Sequence, residues 1–291
     1  MKSLLPILSL FLLGGLTSCS EEQSLTETPT ALDTSFLVDE GEDGHVNVPD
    51  LGLEAPITNH VDGHSADYAN AEVITEVRPD GTTETLYLVD GDIALTKDQL
   101  RELRAMEDNL EKQYRTYNLV SDNYITVIGY TGSGYALTSK MRTALQWAIN
   151  NYNALNTNKQ FVLSFGASTS ADIVVYRNTS ESGAGGQAGF PSGGRPFKYV
   201  QIYNGMEGYD TNTNEHVMTH EIGHAMGLRH TDYFSRQSCG QSGEPRDPEG
   251  AVHIPGTPTG YDANSVMLSC FSSGEDGEFG YYDRVALEYL Y

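Results

Sequence analysis

The run His220-Glu221-Ile222-Gly223-His224-Ala225-Met226-Gly227-Leu228-Arg229-His230 constrains this chain more than any other stretch, because it gathers three imidazoles and a carboxylate into eleven residues. On an α-helix, residues four apart share a face, so His220 and His224 can aim two ring nitrogens at one ion about 2.0–2.1 Å from each. Glu221 directly follows the first of them, which turns its carboxylate toward the ion's open side, within reach of a water rather than of the metal. His230 lies off the helical face, so the chain must turn after His224. Gly227 supplies the turn, because a residue without Cβ takes the left-handed conformation that ends a helix. Three neutral imidazoles and a water make an open tetrahedral zinc site, the catalytic rather than the structural type. The bland alternative, histidines spaced by accident, suits a bare His-Glu-x-x-His better than this full pattern. His216 sits one turn earlier on the same face, but Val217 follows it and offers no base. It is read as a helix-start or cleft residue.

A length of 291 residues with 38% hydrophobic content accommodates one substantial domain plus a smaller pre-domain. The formal net charge of −23 argues against nucleic-acid binding and against electrostatic adhesion to anionic lipid. Lys2 followed by an apolar run at 4–16, broken by Pro6, Gly14 and Gly15, reads as an export signal rather than a spanning helix. Leu16-Thr17-Ser18-Cys19 looks like a bacterial lipoprotein cleavage box with Cys19 as the lipidated residue; an ordinary secretory cleavage site is the alternative. The acidic Ser20-Glu21-Glu22 resembles signals that direct lipoproteins to the outer surface. The expected location is the bacterial cell envelope, at the outer membrane or cell surface, with an N-terminal lipid as the one membrane contact.

Four regions follow: a lipoprotein signal peptide at 1–18, an acidic disordered tether at 19–70, a pro-segment or pre-domain of strand plus helix at 71–120, and the main domain at 121–291. The tether lacks an apolar period, and its His45, His60 and His64 are scattered. A strand is expected at 85–89. Thr96-x-x-Gln99 then forms a capping box before an amphipathic helix bearing Leu100, Leu103, Met106, Leu110 and Tyr114. In the main domain the patterns predict a strand at 124–129, a helix at 140–155 burying Ala144, Leu145, Ala148, Ile149 and Tyr152, and strands at 161–165, 172–176 and 199–203. The helix of the histidines is expected to start near Asn212 or Thr213, through an Asn212-x-x-Glu215 spacing. Gly/Pro/Ser-rich loops follow, including 238–250, and a closing helix at 283–290 packs Val285, Ala286, Leu287 and Leu290 beneath the site.

The long motif resembles the signature of the metzincin clan of zinc endopeptidases, and Ser265-Val266-Met267 looks like that clan's Met-turn. Within the clan, the HEIGH wording, His230-Thr231-Asp232-Tyr233, Ile254-Pro255-Gly256-Thr257-Pro258 and the C-terminal stretch are similar to the dual-action HEIGH metallopeptidases of bacteria, over roughly 123–291. The resemblance implies an α+β fold: a zincin domain with a twisted, mostly parallel sheet, one antiparallel edge strand, an active-site helix and a C-terminal helix, preceded by a small pro-segment. It implies one catalytic Zn2+ on His220, His224 and His230, Glu221 as general base toward a zinc-bound water, and Met267 as a floor under the metal. Structural Ca2+ has no support in the sequence. The glycine-rich stretch 183–194 reads as a surface loop, but the resemblance makes Gln187, Ala188, Gly189 and Phe190 a candidate edge for pairing an extended peptide. Some metzincins carry a tyrosine two residues after the Met-turn methionine; here Ser269 stands there, and Tyr281, Tyr282 and Tyr233 are nearby candidates. Gly91-Asp92 is similar to the aspartate switch of some pro-segments, in which a carboxylate takes the place of water on zinc. The plainer reading, an acidic turn, is preferred because Gly-Asp pairs are common in turns. A cysteine switch is excluded, since no cysteine lies between Cys19 and Cys239. Cys239 and Cys270 remain as an even pair suited to an oxidising compartment, where a bridge contributes about 3–4 kcal/mol; two free buried thiols are the alternative. The expected function is a monomeric, lipid-anchored zinc endopeptidase acting on extended peptides or proteins. A non-catalytic zinc-containing surface binding lipoprotein and a cell-wall amide hydrolase are the alternatives.

Overall fold

Two sheets carry the strands in this computed structural model, which describes residues 71–106, 115–233, 235–241 and 252–291, with only the backbone at 102–106. These residues all fall in one compact unit, 39–291. The expected signal peptide, Cys19, the acidic tether, Leu110, Tyr114 and most of loop 238–250 lie outside the described residues, as do the side chains of Leu103 and Met106.

The first sheet is an antiparallel meander of β1 (Glu72–Val77), β2 (Thr83–Val89) and β3 (Ile93–Leu95). Between β2 and β3 the chain reverses through Asp90 and Gly91, with φ of 56° and 91°. Two successive left-handed residues match the twist of a tight hairpin. Helix α1 (Lys97–Met106) opens with the expected reciprocal cap, Thr96 N–H donating to Gln99 Oε1 at 2.9 Å and Gln99 N–H to Thr96 Oγ1 at 3.2 Å.

The second sheet contains β4 (Tyr124–Tyr130), β5 (Gln160–Gly166), β6 (Ile173–Asn178), β7 (Gly186–Gln187) and β8 (Tyr199–Tyr203) in the order β5-β4-β6-β8-β7. All pairings are parallel except that of β7 with β8. The chain is thus mixed α+β, with one antiparallel strand at the edge of an otherwise parallel sheet. Helix α2 (Ser139–Ala154) crosses from β4 to β5 and buries Met141 together with the expected stripe of Ala144, Leu145, Ala148, Ile149 and Tyr152. Those side chains share a core with Ile125, Val127, Ile173, Val175 and Ile202 from one face of the sheet and with helix α3 (Thr211–Met226). Helix α4 (Tyr281–Leu290) adds the buried Ala286 and Leu287, while Val285 and Leu290 are only partly buried. Among the described residues no helix is long and apolar enough to cross a membrane.

Strands covered on both faces read as continuous apolar runs. The second face, with Tyr130, Val174, Tyr176 and Tyr199, meets the three-stranded sheet. Tyr176 Oη donates to the buried Glu76 carboxylate at 2.6 Å, Tyr199 Oη donates to Asp80, and the Arg78 guanidinium lies 4.4 Å above the Tyr199 ring. Burial raises the Glu76 pKa, and the Tyr176 hydrogen bond opposes that rise.

The start of α3 differs from expectation. Asp210, not Asn212, caps it, accepting from Thr213 N–H at 2.8 Å. Glu215 is buried instead and accepts from Asn151 Nδ2 on α2 at 2.9 Å, so its side chain is unavailable to the helix terminus. Tyr176→Phe should remove the 2.6 Å donor from the buried Glu76 carboxylate and weaken the docked three-stranded sheet by about 1–3 kcal/mol. Denaturant unfolding of the full chain, with limited proteolysis at 71–106, measures it.

Candidate metal centre

Helix α3 carries His220 and His224 to the bottom of a cleft and stops at Gly227, whose φ of 106° is left-handed. A Cβ at 227 would also meet Thr116 Oγ1 at 3.0 Å and Asn118 O at 3.1 Å, so both the conformation and the space require glycine. The chain reverses there and brings His230 back. The Nε2 atom of His230 lies 3.1 Å from that of His224 and 3.3 Å from that of His220.

Asp92 completes the group. Its Oδ2 lies 3.0 Å from His230 Nε2 and 3.4 Å from His220 Nε2, and all four donor atoms fall within 4.8 Å of one another. The edges of a tetrahedron with metal–ligand bonds near 2.05 Å are about 3.3 Å, so the donor set has the dimensions of a zinc site. The tautomers agree. His220 Nδ1 is 2.8 Å from Val266 O and His224 Nδ1 is 2.8 Å from Leu228 O. A carbonyl needs a donor, so those nitrogens carry the protons and both Nε2 lone pairs face the shared point. Burial and the neighbouring His220 and His230 lower the His224 pKa. Burial alone would lower His230 too, but the Asp92 and Asp90 carboxylates outweigh it and lift it to about 9. The two converging Nε2 lone pairs, the third ring and the Asp92 carboxylate form a donor set that a zinc ion fits.

Glu221 lines the same cleft, of about 400 Å³, together with Asp90, Gly91, Asp92, Tyr203 and His216. Its Oε2 is buried with no hydrogen-bond partner, and burial, then the Asp92 charge, raises its pKa well above the ordinary carboxylate range. His216, expected as a helix-start or cleft residue, lines the cleft without joining the donor group. Its Nδ1 lies 3.0 Å from Asp276 O, and burial followed by His220 lowers its pKa to about 4.

Met267, the expected floor, is 1% exposed, and its carbonyl accepts from Thr231 N–H at 2.8 Å. A Cβ on Gly223 would lie 2.5 Å from its sulfur, which explains the glycine of the HEIGH run by close approach. Behind the methionine, the buried Asp283 accepts from Ser265 Oγ at 2.6 Å, Val266 N–H at 2.8 Å and Gly280 N–H at 3.0 Å. Asp283 thereby fixes the carbonyl that holds His220, a role missed in the sequence although its place three residues after Gly280 is a capping position. Cys239 and Cys270 form a disulfide, joining the loop after His230 to the segment after Met267.

One further expectation changes. Tyr281 and Tyr282 are exposed at 65% and 38%, and neither they nor Tyr233 line the cleft, whereas Tyr203 and Tyr209 do. Position 203 ends β8 at the cleft, a placement fixed by sheet order rather than by distance from the Met-turn. The candidate edge at 187–190 is already paired. Ala188 N–H donates to Asp92 O at 3.0 Å, Ala94 N–H donates to Ala188 O at 2.7 Å, and Gln99 Nε2 donates to Phe190 O at 2.7 Å. Gln187 is in β7, and a Cβ on Gly189 would strike Ala94 O. Asp92 does belong to a tight turn, yet its carboxylate faces the histidines rather than the turn's own backbone.

The family profile of the dual-action HEIGH metallo-peptidases matches residues 87–291. The chain belongs to this family. It is a metallopeptidase, and its family implies zinc. The match starts within β2, upstream of the resemblance at 123, so the hairpin with Asp92 lies inside the shared HEIGH region. No curated protein matches the chain. Two solved structures of myroilysin are similar to it: one at 15% identity and TM-score 0.39 over 60% of this chain and 86% of its own, the other at 18% and 0.38 over 60% and 95%.

Asp283→Ala should leave the Val266 and Gly280 amides without their acceptor, destabilise the chain by about 1–3 kcal/mol and lower zinc affinity through His220. Equilibrium unfolding and a competitive zinc titration test the two effects separately.

Proposed function

We propose that this chain is an exported, lipid-anchored zinc endopeptidase, general-base assisted by Glu221 and held latent by its own pre-segment. The observation that carries the reading is the convergence of His220, His224, His230 and Asp92 on one point beside the buried Glu221. A zinc ion bound there would supply Lewis acidity, polarising a carbonyl and lowering the pKa of water to about 7. His220, His224 and His230 would hold it, two of them oriented by the Val266 and Leu228 carbonyls. Glu221 accepts the proton of the attacking water and passes it to the leaving amine. Its Oε2 is buried without a hydrogen-bond partner, so no fixed donor competes with the water for it. The main chain at Ala188 aligns an extended peptide by β-type hydrogen bonds.

Latency is supported by what Asp92 and its neighbours touch. The carboxylate takes the fourth corner of the donor set, and residues 92–94 hold the Ala188 main chain. Export and anchoring rest on the 16–19 box, and the disulfide suits an oxidising compartment.

Glu221→Gln should keep zinc and fold while kcat on a peptide library falls by about 10²–10⁴, and His224→Ala should lose the zinc as well. Metal analysis and chelator-controlled peptide cleavage check both; full chelator-sensitive turnover in Glu221→Gln would remove it as the base. In the unprocessed chain, Asp92→Ala should raise activity about tenfold or more, because an intramolecular ligand competes at high effective concentration. Unchanged activity would show that Asp92 does not block the site.

A further inference from the structure

The side chain of Arg236 spends its fork on one residue of the pre-segment. Its Nη1 lies 3.1 Å from Asp90 Oδ1, and its Nη2 donates to the Asp90 carbonyl at 3.0 Å. Arg229 Nη2 lies 3.8 Å from the other carboxylate oxygen, and the Asp90 side chain is 7% exposed. Burial would raise the Asp90 pKa, but His230 and the two guanidiniums outweigh it.

Arg236 is positioned by the main domain, not by its acidic partner. Its N–H donates to Asp232 O at 2.6 Å, and its carbonyl accepts from Cys239 N–H at 3.0 Å. Asp232 is in turn tied by Ser238 N–H at 2.9 Å and Ser269 N–H at 2.8 Å, and the Cys239–Cys270 bridge closes the loop. The loop holds Arg236 at φ 46°, one of two non-glycine residues with positive φ among those described. A strained conformation imposed by surrounding bonds is characteristic of ligand clamps.

We infer that Arg236, flanked by Arg229, forms a subsite for an acidic side chain of the substrate beside the scissile bond. This rests on the peptidase reading. Residues 92–94 lie on the Ala188 main chain as an extended ligand does, and Asp92 reaches the metal ligands, so Asp90 takes the place of a neighbouring substrate side chain. When the pre-segment leaves, the Arg236 guanidinium remains on the cleft wall without the Asp90 carboxylate, with Arg229 buried behind it. Arginine's planar fork accepts a carboxylate in two parallel bonds. In a chain with 40 acidic and 17 basic residues, this local pair of cations offsets the general repulsion of acidic peptides.

The test takes the zinc-loaded full chain, with and without tryptic nicking of its pre-segment, and reads its cuts in a mixed peptide library by mass spectrometry. Asp and Glu should be enriched over Asn and Gln at one fixed position beside the cleaved bond. Arg236→Ala should reduce kcat/KM for an acidic reporter relative to its amide analogue by about tenfold or more, chiefly through KM, and Arg236→Lys should recover part of the ratio. Zinc content and circular dichroism of each variant confirm folding. Cleavage with no acidic enrichment, or the same enrichment in Arg236→Ala, overturns the subsite and leaves the peptidase reading standing. Absence of any chelator-sensitive cleavage overturns the peptidase reading and the subsite with it.

Discussion

The cleft depends on the chain reversing within one turn of the end of α3. Two imidazoles on one helical face define a line of approach to a point, and a third donor can reach that point only if the helix stops and the backbone doubles back. Gly227 does this in the left-handed conformation, and the same reversal brings the Leu228 carbonyl to His224 Nδ1. One backbone event therefore places the third ring and orients the second. The first ring is oriented separately, by the Val266 carbonyl, and that carbonyl is held from behind by Asp283.

Much of the site is buried charge, which is costly unless paired. Asp283 meets its cost with three donors, and Asp90 meets its own with two guanidiniums. Glu221 lacks such partners, which fits a group that has to exchange a proton rather than hold a permanent charge. The three rings and Asp92 face one another across distances suited to a cation. These environments separate residues that support the site from those available for chemistry.

The pre-segment touches the main domain at two levels. Glu76 and Asp80 accept from tyrosines on the sheet face, while the β2–β3 hairpin enters the cleft. Its main chain pairs with Ala188, and its two aspartates meet the histidines and the arginines. The hairpin turn can carry out both tasks because Asp90 and Gly91 adopt left-handed conformations that place two carboxylates close together without a long loop.

The convergence of the three histidines, the Gly227 stop, the α2 stripe, the Thr96–Gln99 cap and most strand positions were legible in the amino-acid sequence, because each depends on neighbours within a few residues. The α3 cap was misjudged there because Asp210 and Asn212 are both good caps, and only the burial of Glu215 against Asn151 separates them. The partners of Asp92, the pairing of Ala188, the cleft position of Tyr203 and the Arg236–Asp90 contact could be decided only by tertiary structure. They join residues up to 146 positions apart, and local periodicity carries no information about which distant surfaces meet. Local order follows from short-range sterics and hydrogen bonding; the complementarity of the pre-segment and the cleft follows from packing two sheets together.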